Sequence, residues 1–144
     1  MKEVRLLSVF AENQPGKIEK ITKILTREKI NIRAITIASS NKYGVIKLLV
    51  NNPLKAYQSL KEEGLSVALN PALAIEIEDK PGGLYKLAQI MEKYKINIED
   101  ACGFVIRSGE KAVLIIEVKD REEAESTLSR ENIHFLSEDD LYKI

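Results

Sequence analysis

The residues best placed to do chemistry lie in two related stretches, Asn13-Gln14-Pro15-Gly16 and Asp79-Lys80-Pro81-Gly82-Gly83. Their Pro-Gly pairs are 66 residues apart, and each stands between an apolar run and a segment of helical periodicity. Pro is tolerated in a first helical turn, so each stretch reads as the start of a helix. A helix start presents unpaired N–H groups and a partial positive charge, and glycine lets a ligand approach the backbone. Each loop is therefore a candidate seat for a small carboxylate. The same residues also fit a purely structural reading, with Asn13 and Asp79 as caps and Pro-Gly as a sharp turn. A second motif recurs at the same spacing: Lys29-Ile30-Asn31-Ile32 returns as Lys95-Ile96-Asn97-Ile98. It places Asn31 and Asn97 between a helix end and a strand start. There they offer an amide to a ligand, or supply the left-handed residue that closes many helices.

The elements that must position these motifs repeat as well. Ile18, Ile21, Ile24 and Leu25 form one face of an amphipathic helix, and Leu84, Leu87, Ile90 and Met91 match them 66 residues later. Val50, Ala56 and Leu60 match Val118, Ala124 and Leu128 at a spacing of 68, with the extra residues near Arg107-Ser108-Gly109-Glu110. In the first copy, residues 4–11 read as strand, 15–29 as helix, 31–38 and 44–50 as strands, and Ser39-Ser40-Asn41-Lys42 as the turn between them. Asn52-Pro53 opens a second helix that Gly64 stops, and residues 65–69 form a last strand. The second copy reads as 73–77, 83–94, 97–106, 112–118, 121–130 and 133–136 in the same order.

The order β-α-β-β-α-β is that of the split βαβ unit. The expected fold is α+β: two ferredoxin-like βαββαβ sandwiches in tandem, each an antiparallel sheet with its helices on one face. The domains would be residues 1–70 and 71–144, joined by Asn70-Pro71-Ala72. Free sheet edges or faces need cover, which points to a homodimer.

Composition narrows the function. In 144 residues, 22 Lys and Arg balance 22 Asp and Glu, so no basic field exists to hold a nucleic acid backbone. The tyrosines are scattered, unlike the paired aromatics of an RNA-binding sheet. Cys102 is the only cysteine and His134 the only histidine. An intramolecular disulfide or a cysteine-based metal cage is excluded, a reducing cytoplasm fits, Cys102 reads as a half-buried thiol and His134 as structural or exposed. The apolar runs are far shorter than the roughly 20 residues that span a bilayer, so no membrane partner is expected. The chain offers no nucleophile–base pair, no metal-ligand cluster and no Gly-rich phosphate loop, so it is expected to be no enzyme and to need no cofactor or metal. The acidic stretch 137–142 reads as a solvated terminus or a capped final turn.

Residues 9–18 with Lys29-Ile30-Asn31-Ile32 resemble the ACT domain, the small ligand-binding module of amino-acid metabolism, and residues 73–104 resemble a second one. The resemblance covers nearly the whole chain as a tandem pair. It implies a non-catalytic sensor that binds a small amino-acid effector at the interface between paired ACT domains and signals to a partner enzyme. The alternative it leaves is an assembly module that docks on a partner enzyme without a ligand. In serine-sensing members, the loop Asn before Pro-Gly and the Asn at the start of strand two hold the amino acid, which carries over to Asn13, Asn31 and Asn97. This chain departs from them in Ala11, where those members have a loop His, and in Asp79, where an Asn would stand. An acidic side chain there repels a carboxylate, so the two sites should not hold one ligand in one pose. The expected ligand-binding residues are Asn13, Gln14, Pro15, Gly16, Asn31 and Ile32 in the first copy, and Asp79, Gly82, Gly83, Leu84, Asn97 and Ile98 in the second. Side chains such as Phe10, Ala34, Ile35 and Ala101 would shape the pocket.

Overall fold

The computed structural model describes residues 3–12 and 14–144. It contains two compact units, residues 5–70 and residues 71–144 together with Glu3 and Val4. The first holds β1 (Val4–Glu12), α1 (Lys17–Arg27), β2 (Ile32–Ser40), β3 (Tyr43–Val50) and α2 (Pro53–Glu62). Strand β4 (Ser66–Glu78) supplies the last strand of this unit and the first of the next. The second unit adds α3 (Gly83–Lys93), β5 (Asp100–Arg107), β6 (Lys111–Glu117), α4 (Arg121–Leu128), β7 (Phe135–Leu136) and α5 (Glu138–Tyr142).

Strand order is β2-β3-β1-β4 in the first unit and β5-β6-β4-β7 in the second, the same arrangement twice. Its registers repeat too. Phe10 pairs with Val45 and Glu12 with Tyr43 in the first unit, and Glu76 pairs with Val113 and Glu78 with Lys111 in the second. These are the α+β ferredoxin-like units that the repeat predicts.

Each unit buries its helices against one sheet face. Ile21, Ile24 and Leu25 of α1 and Ala56 and Leu60 of α2 pack on Leu7, Val9, Ile46 and Leu48. Leu87 and Met91 of α3 and Ala124 and Leu128 of α4 pack on Leu73, Ile75 and Ile116. Each such Leu or Ile contributes about 1.5–3 kcal/mol by leaving water. The predicted helix face is shorter than expected at one position in both copies: Ile18 is 37% exposed and Leu84 53% exposed.

Two expectations need correction. Asn70-Pro71-Ala72 is not a linker but the middle of β4. Proline's fixed φ is compatible with extended backbone, so Pro71 withholds an N–H without breaking the strand. The left-handed residues at the ends of α1 and α3 are not Asn31 and Asn97 but Lys29 (φ 58) and Lys95 (φ 56). Ile30 N donates to Leu25 O at 2.9 Å and Lys29 N to Thr26 O at 3.0 Å; Ile96 and Lys95 do the same to Met91 and Glu92, at 2.9 and 3.1 Å. This double closure is the Schellman arrangement, in which the apolar residue after the left-handed one packs back on the helix. The acidic terminus is the capped helix α5: Ser137 Oγ accepts from Asp140 N, Asp140 Oδ2 accepts from Ser137 N at 2.8 Å, and Leu141 is buried. Among the described residues, no helix is long and apolar enough to cross a membrane.

Candidate functional site

Helices α1 and α3 both begin on a glycine in the left-handed region, Gly16 at φ 92 and ψ −12 and Gly82 at φ 91 and ψ −11. A Cβ in that conformation costs roughly 1–2 kcal/mol, which explains glycine at both positions. The choice has an electrostatic consequence. A glycine N-cap has no side chain to close the first turn, and neither helix has a side-chain cap. The other helices do: Asn52 accepts from Lys55 N, Asp120 from Glu123 N and Ser137 from Asp140 N. The two motif helices thus present their N-terminal dipole ends without a built-in acceptor, an arrangement suited to a carboxylate.

The structure places the remaining candidates as follows. Asn13 lies outside the described residues. Gln14 and Pro15 are exposed, and Gln14 Nε2 donates to Glu12 Oε2 at 2.7 Å. Asn31 is exposed and joined to the end of β3 by a backbone pair: its N–H donates to Asn51 Oδ1 at 3.0 Å and its carbonyl accepts from Asn51 N at 3.2 Å. Ile32 and Ile98 are partly buried against the two cores. Leu84 stands in solvent beside Gly82.

Asp79 is not a helix cap. Its Oδ2 accepts from Gly109 N at 2.7 Å and its own N–H donates to Glu110 O at 3.1 Å, so it ties the end of β4 to the β5–β6 turn. Gly83 is occupied as well. A Cβ on it would lie 2.0 Å from Glu78 O, so its bare backbone is needed by the chain's own close approach. Around the start of α3, Lys80 Nζ lies 2.5 Å from Glu78 Oε2 and Lys86 Nζ 3.5 Å from Glu78 Oε1. The Lys80 hydrogen bond holds the Glu78 carboxyl below its usual range.

Three cavities touch predicted residues, the smallest of them, of about 190 Å³, with Gly83 beside Glu78, Lys86 and Leu87 in its wall. One, of about 480 Å³, has Asn97 in its wall with Tyr94, Lys95, Glu99 and Glu123. Another, of about 830 Å³, is lined by Phe10, Glu12, Lys17, Tyr43 and Val45 among others. Of the side chains expected to shape a pocket, Phe10 lines it, and Ala34, Ile35 and Ala101 do not. Tyr43 was not anticipated, although its position opposite Glu12 follows once the β2–β3 turn is placed at Asn41-Lys42. Cys102 is half-buried, and His134 is exposed with Nδ1 at 3.4 Å from Glu76 Oε2. No group of His, Cys, Asp and Glu that could hold a metal occurs among the described residues.

A family model for an ACT domain pair matches residues 2–144. No curated protein matches the chain. Among solved structures, a protein from Bacteroides thetaiotaomicron is 27% identical, with 99% of this chain and 98% of that chain covered at a TM-score of 0.91. The regulatory subunit of aspartate kinase from Thermus thermophilus, in its ligand-free form, is 18% identical, with 90% and 91% covered at a TM-score of 0.63. Aspartokinase III of E. coli, solved with lysine and aspartate, is 18% identical, with 90% of this chain and 31% of that chain covered at a TM-score of 0.51.

Proposed function

Since the chain belongs to the ACT domain pair family, we propose that it is a non-catalytic, cytoplasmic regulatory protein that binds a small amino acid and relays its presence to a partner enzyme. One observation carries this reading: α1 and α3 begin on left-handed glycines without side-chain caps, whereas α2, α4 and α5 are capped. The amino-acid carboxylate takes the place of the missing cap at the uncapped start of α1, where the Gly16 N–H opens the first turn, and Asn31 supplies an amide to the head group. Ile18, left out of the core, offers the ligand an apolar contact.

The second copy is the weaker seat, because Asp79 is engaged with Gly109 and Gly83 is closed by Glu78. Gly82, Leu84 and Asn97 are its remaining contacts. A ligand that favours one arrangement of the chain shifts the population toward it, and the partner enzyme reads that arrangement. The protein acts as a homodimer; strand β2 ends one side of its sheet with Ile35 43% and Ile37 55% exposed, a free edge suited to pairing with a second copy.

The test is a thermal-shift screen of the whole chain against all twenty amino acids. A ligand that binds only the folded state stabilises it by RT ln(1 + [L]/Kd), about 2.7 kcal/mol at a concentration of 100 Kd. A selective rise that shrinks in Asn31→Ala supports the sensor. A flat response from well-folded protein refutes it and leaves the ligand-independent assembly module.

A further inference from the structure

The repeat places a cavity at the same point of both units, and the two differ in chemistry. In the first, the 830 Å³ cavity lies where the end of β1, the start of β3 and the turn from α2 to β4 meet, with Phe10, Tyr43 and Ser66 in its wall. In the second, a cavity of about 590 Å³ lies at the matching place, with Glu76, Lys111 and His134 at the corresponding positions. The correspondence follows from register: Phe10 faces Val45 as Glu76 faces Val113, and Glu12 faces Tyr43 as Glu78 faces Lys111.

The second cavity is internally satisfied. Glu76 Oε1 lies 3.5 Å from Lys111 Nζ, Glu76 Oε2 lies 3.4 Å from His134 Nδ1, and Glu76 N donates to His134 O at 2.9 Å. The first has no such closure. Phe10 is 46% exposed and Tyr43 69% exposed, the two being diagonal neighbours on one sheet face, a spacing within reach of aromatic side chains. Two exposed rings bordering one cavity carry a hydrophobic cost that a bound ring removes. The rim bears one charge of each sign. Lys17 makes no ion pair among the described residues, and Glu12 receives Gln14 on Oε2, leaving Oε1 for a second donor.

We propose that the cavity bordered by Phe10 and Tyr43 binds an aromatic amino acid. Its ring lies against the two side chains, its carboxylate meets Lys17 and its ammonium group meets Glu12. The inference rests on the reading of the chain as an amino-acid binder and adds both the class of effector and a location apart from Asn31. Both charges are needed, because a ligand with one would leave the opposite rim charge unpaired.

Isothermal titration calorimetry of the full chain tests it with L-phenylalanine, L-serine, 3-phenylpropionate and 2-phenylethylamine. L-Phenylalanine should bind, and L-serine and the two singly charged analogues should bind at least about tenfold more weakly. Tyr43→Ala should weaken L-phenylalanine about tenfold, the size of a lost ring contact. Lys17→Met should weaken it as well, while His134→Ala, in the matching cavity of the second unit, leaves it unchanged. Phe10→Ala repeats the ring test from the other wall. Binding that survives Tyr43→Ala and Phe10→Ala but falls in Asn31→Ala would overturn this site while leaving the amino-acid sensor intact. Equal binding of 3-phenylpropionate would overturn the role of Glu12 and with it the proposal. No heat with L-phenylalanine would overturn this proposal, and the twenty-amino-acid thermal-shift screen then decides the sensor reading separately.

Discussion

Gly83→Ala tests the account of the second unit most sharply, because two physical effects give it opposite signs. Gly83 is the first residue of α3, and alanine is the better helix former by up to about 1 kcal/mol. Propensity alone predicts a more stable protein. The structure predicts the reverse. A Cβ at Gly83 lies 2.0 Å from Glu78 O, 3.0 Å from the Glu78 carbonyl carbon and 3.5 Å from its Cα. The obstacle is backbone, so no side-chain rotation relieves it, and either the start of α3 or the end of β4 must move by about 1.5 Å to reach an ordinary contact distance.

Glu78 is held from several directions. It pairs with Lys111 in the β4–β6 register, and the next residue, Asp79, is bound to Gly109 and Glu110. Moving it disturbs those contacts, so the overpacking cost belongs at the upper end of its usual range, about 3 kcal/mol. For a chain of this length that corresponds to a fall in Tm of about 10 °C. Chemical denaturation and calorimetry of Gly83→Ala beside Lys17→Ala make the comparison. Lys17 holds the equivalent place in α1 and already carries a Cβ, so its truncation should stay within about 0.5 kcal/mol of wild type. A Gly83→Ala protein as stable as wild type, or more stable, would refute the close approach and the closed state of the second helix start.

The helix ends give a prediction of the opposite direction. Lys29→Gly and Lys95→Gly relieve left-handed backbone at φ 58 and φ 56 and should each stabilise the protein by about 0.5–1 kcal/mol, whereas Gly64→Ala, at φ 84, should destabilise it by about 1 kcal/mol; denaturant midpoints decide. Glu131 gives a pH dependence. Lys93 donates to its Oε1 at 2.7 Å and the Tyr94 hydroxyl at 2.9 Å, and these bonds hold its carboxyl below the ordinary value of 4.5. A depressed carboxylate stabilises the fold fully above the unfolded value and loses that contribution as pH falls through the folded one. Wild type should therefore lose stability on acidification more steeply than Glu131→Gln between about pH 5 and pH 3, which pH-resolved thermal melts would measure.

Periodicity and self-comparison made much of the fold legible. Ile21, Ile24, Leu25, Leu87 and Met91 are core residues where the helical spacing puts them, and Asn52-Pro53 and Gly64 bound α2 as their chemistry requires. What was missed depends on partners distant in sequence or on backbone rather than side chain. Asp79 looks like a helix cap locally, and only its bond to Gly109, thirty residues on, gives it another task. Lys29 and Lys95 carry no turn signature. Their left-handed geometry is imposed by the apolar residue that follows, since Ile30 and Ile96 are placed against the cores when the chain reverses there. The cavity beside Phe10 is assembled from the ends of separate strands and the α2–β4 turn, a combination that no linear motif encodes.

The pair of copies separates what the fold demands from what it leaves open. Positions that bound the helices are the same in both: glycine at their starts, 16 and 82, lysine in left-handed backbone at their ends, 29 and 95, and the apolar residues Ile30 and Ile96 that follow. Positions that line the two matching cavities differ in charge and size, with Phe10 against Glu76 and Tyr43 against Lys111. Had these positions been needed for folding, both copies would face the same packing problem and would be expected to meet it with similar side chains. The second copy meets it with an ion-paired cluster that needs no further partner, so the fold does not require aromatic rings there. Exposed rings at Phe10 and Tyr43 therefore call for a reason other than stability. A bound ligand supplies one that Phe10→Glu would remove without unfolding the chain, since glutamate already occupies the equivalent place on the same register.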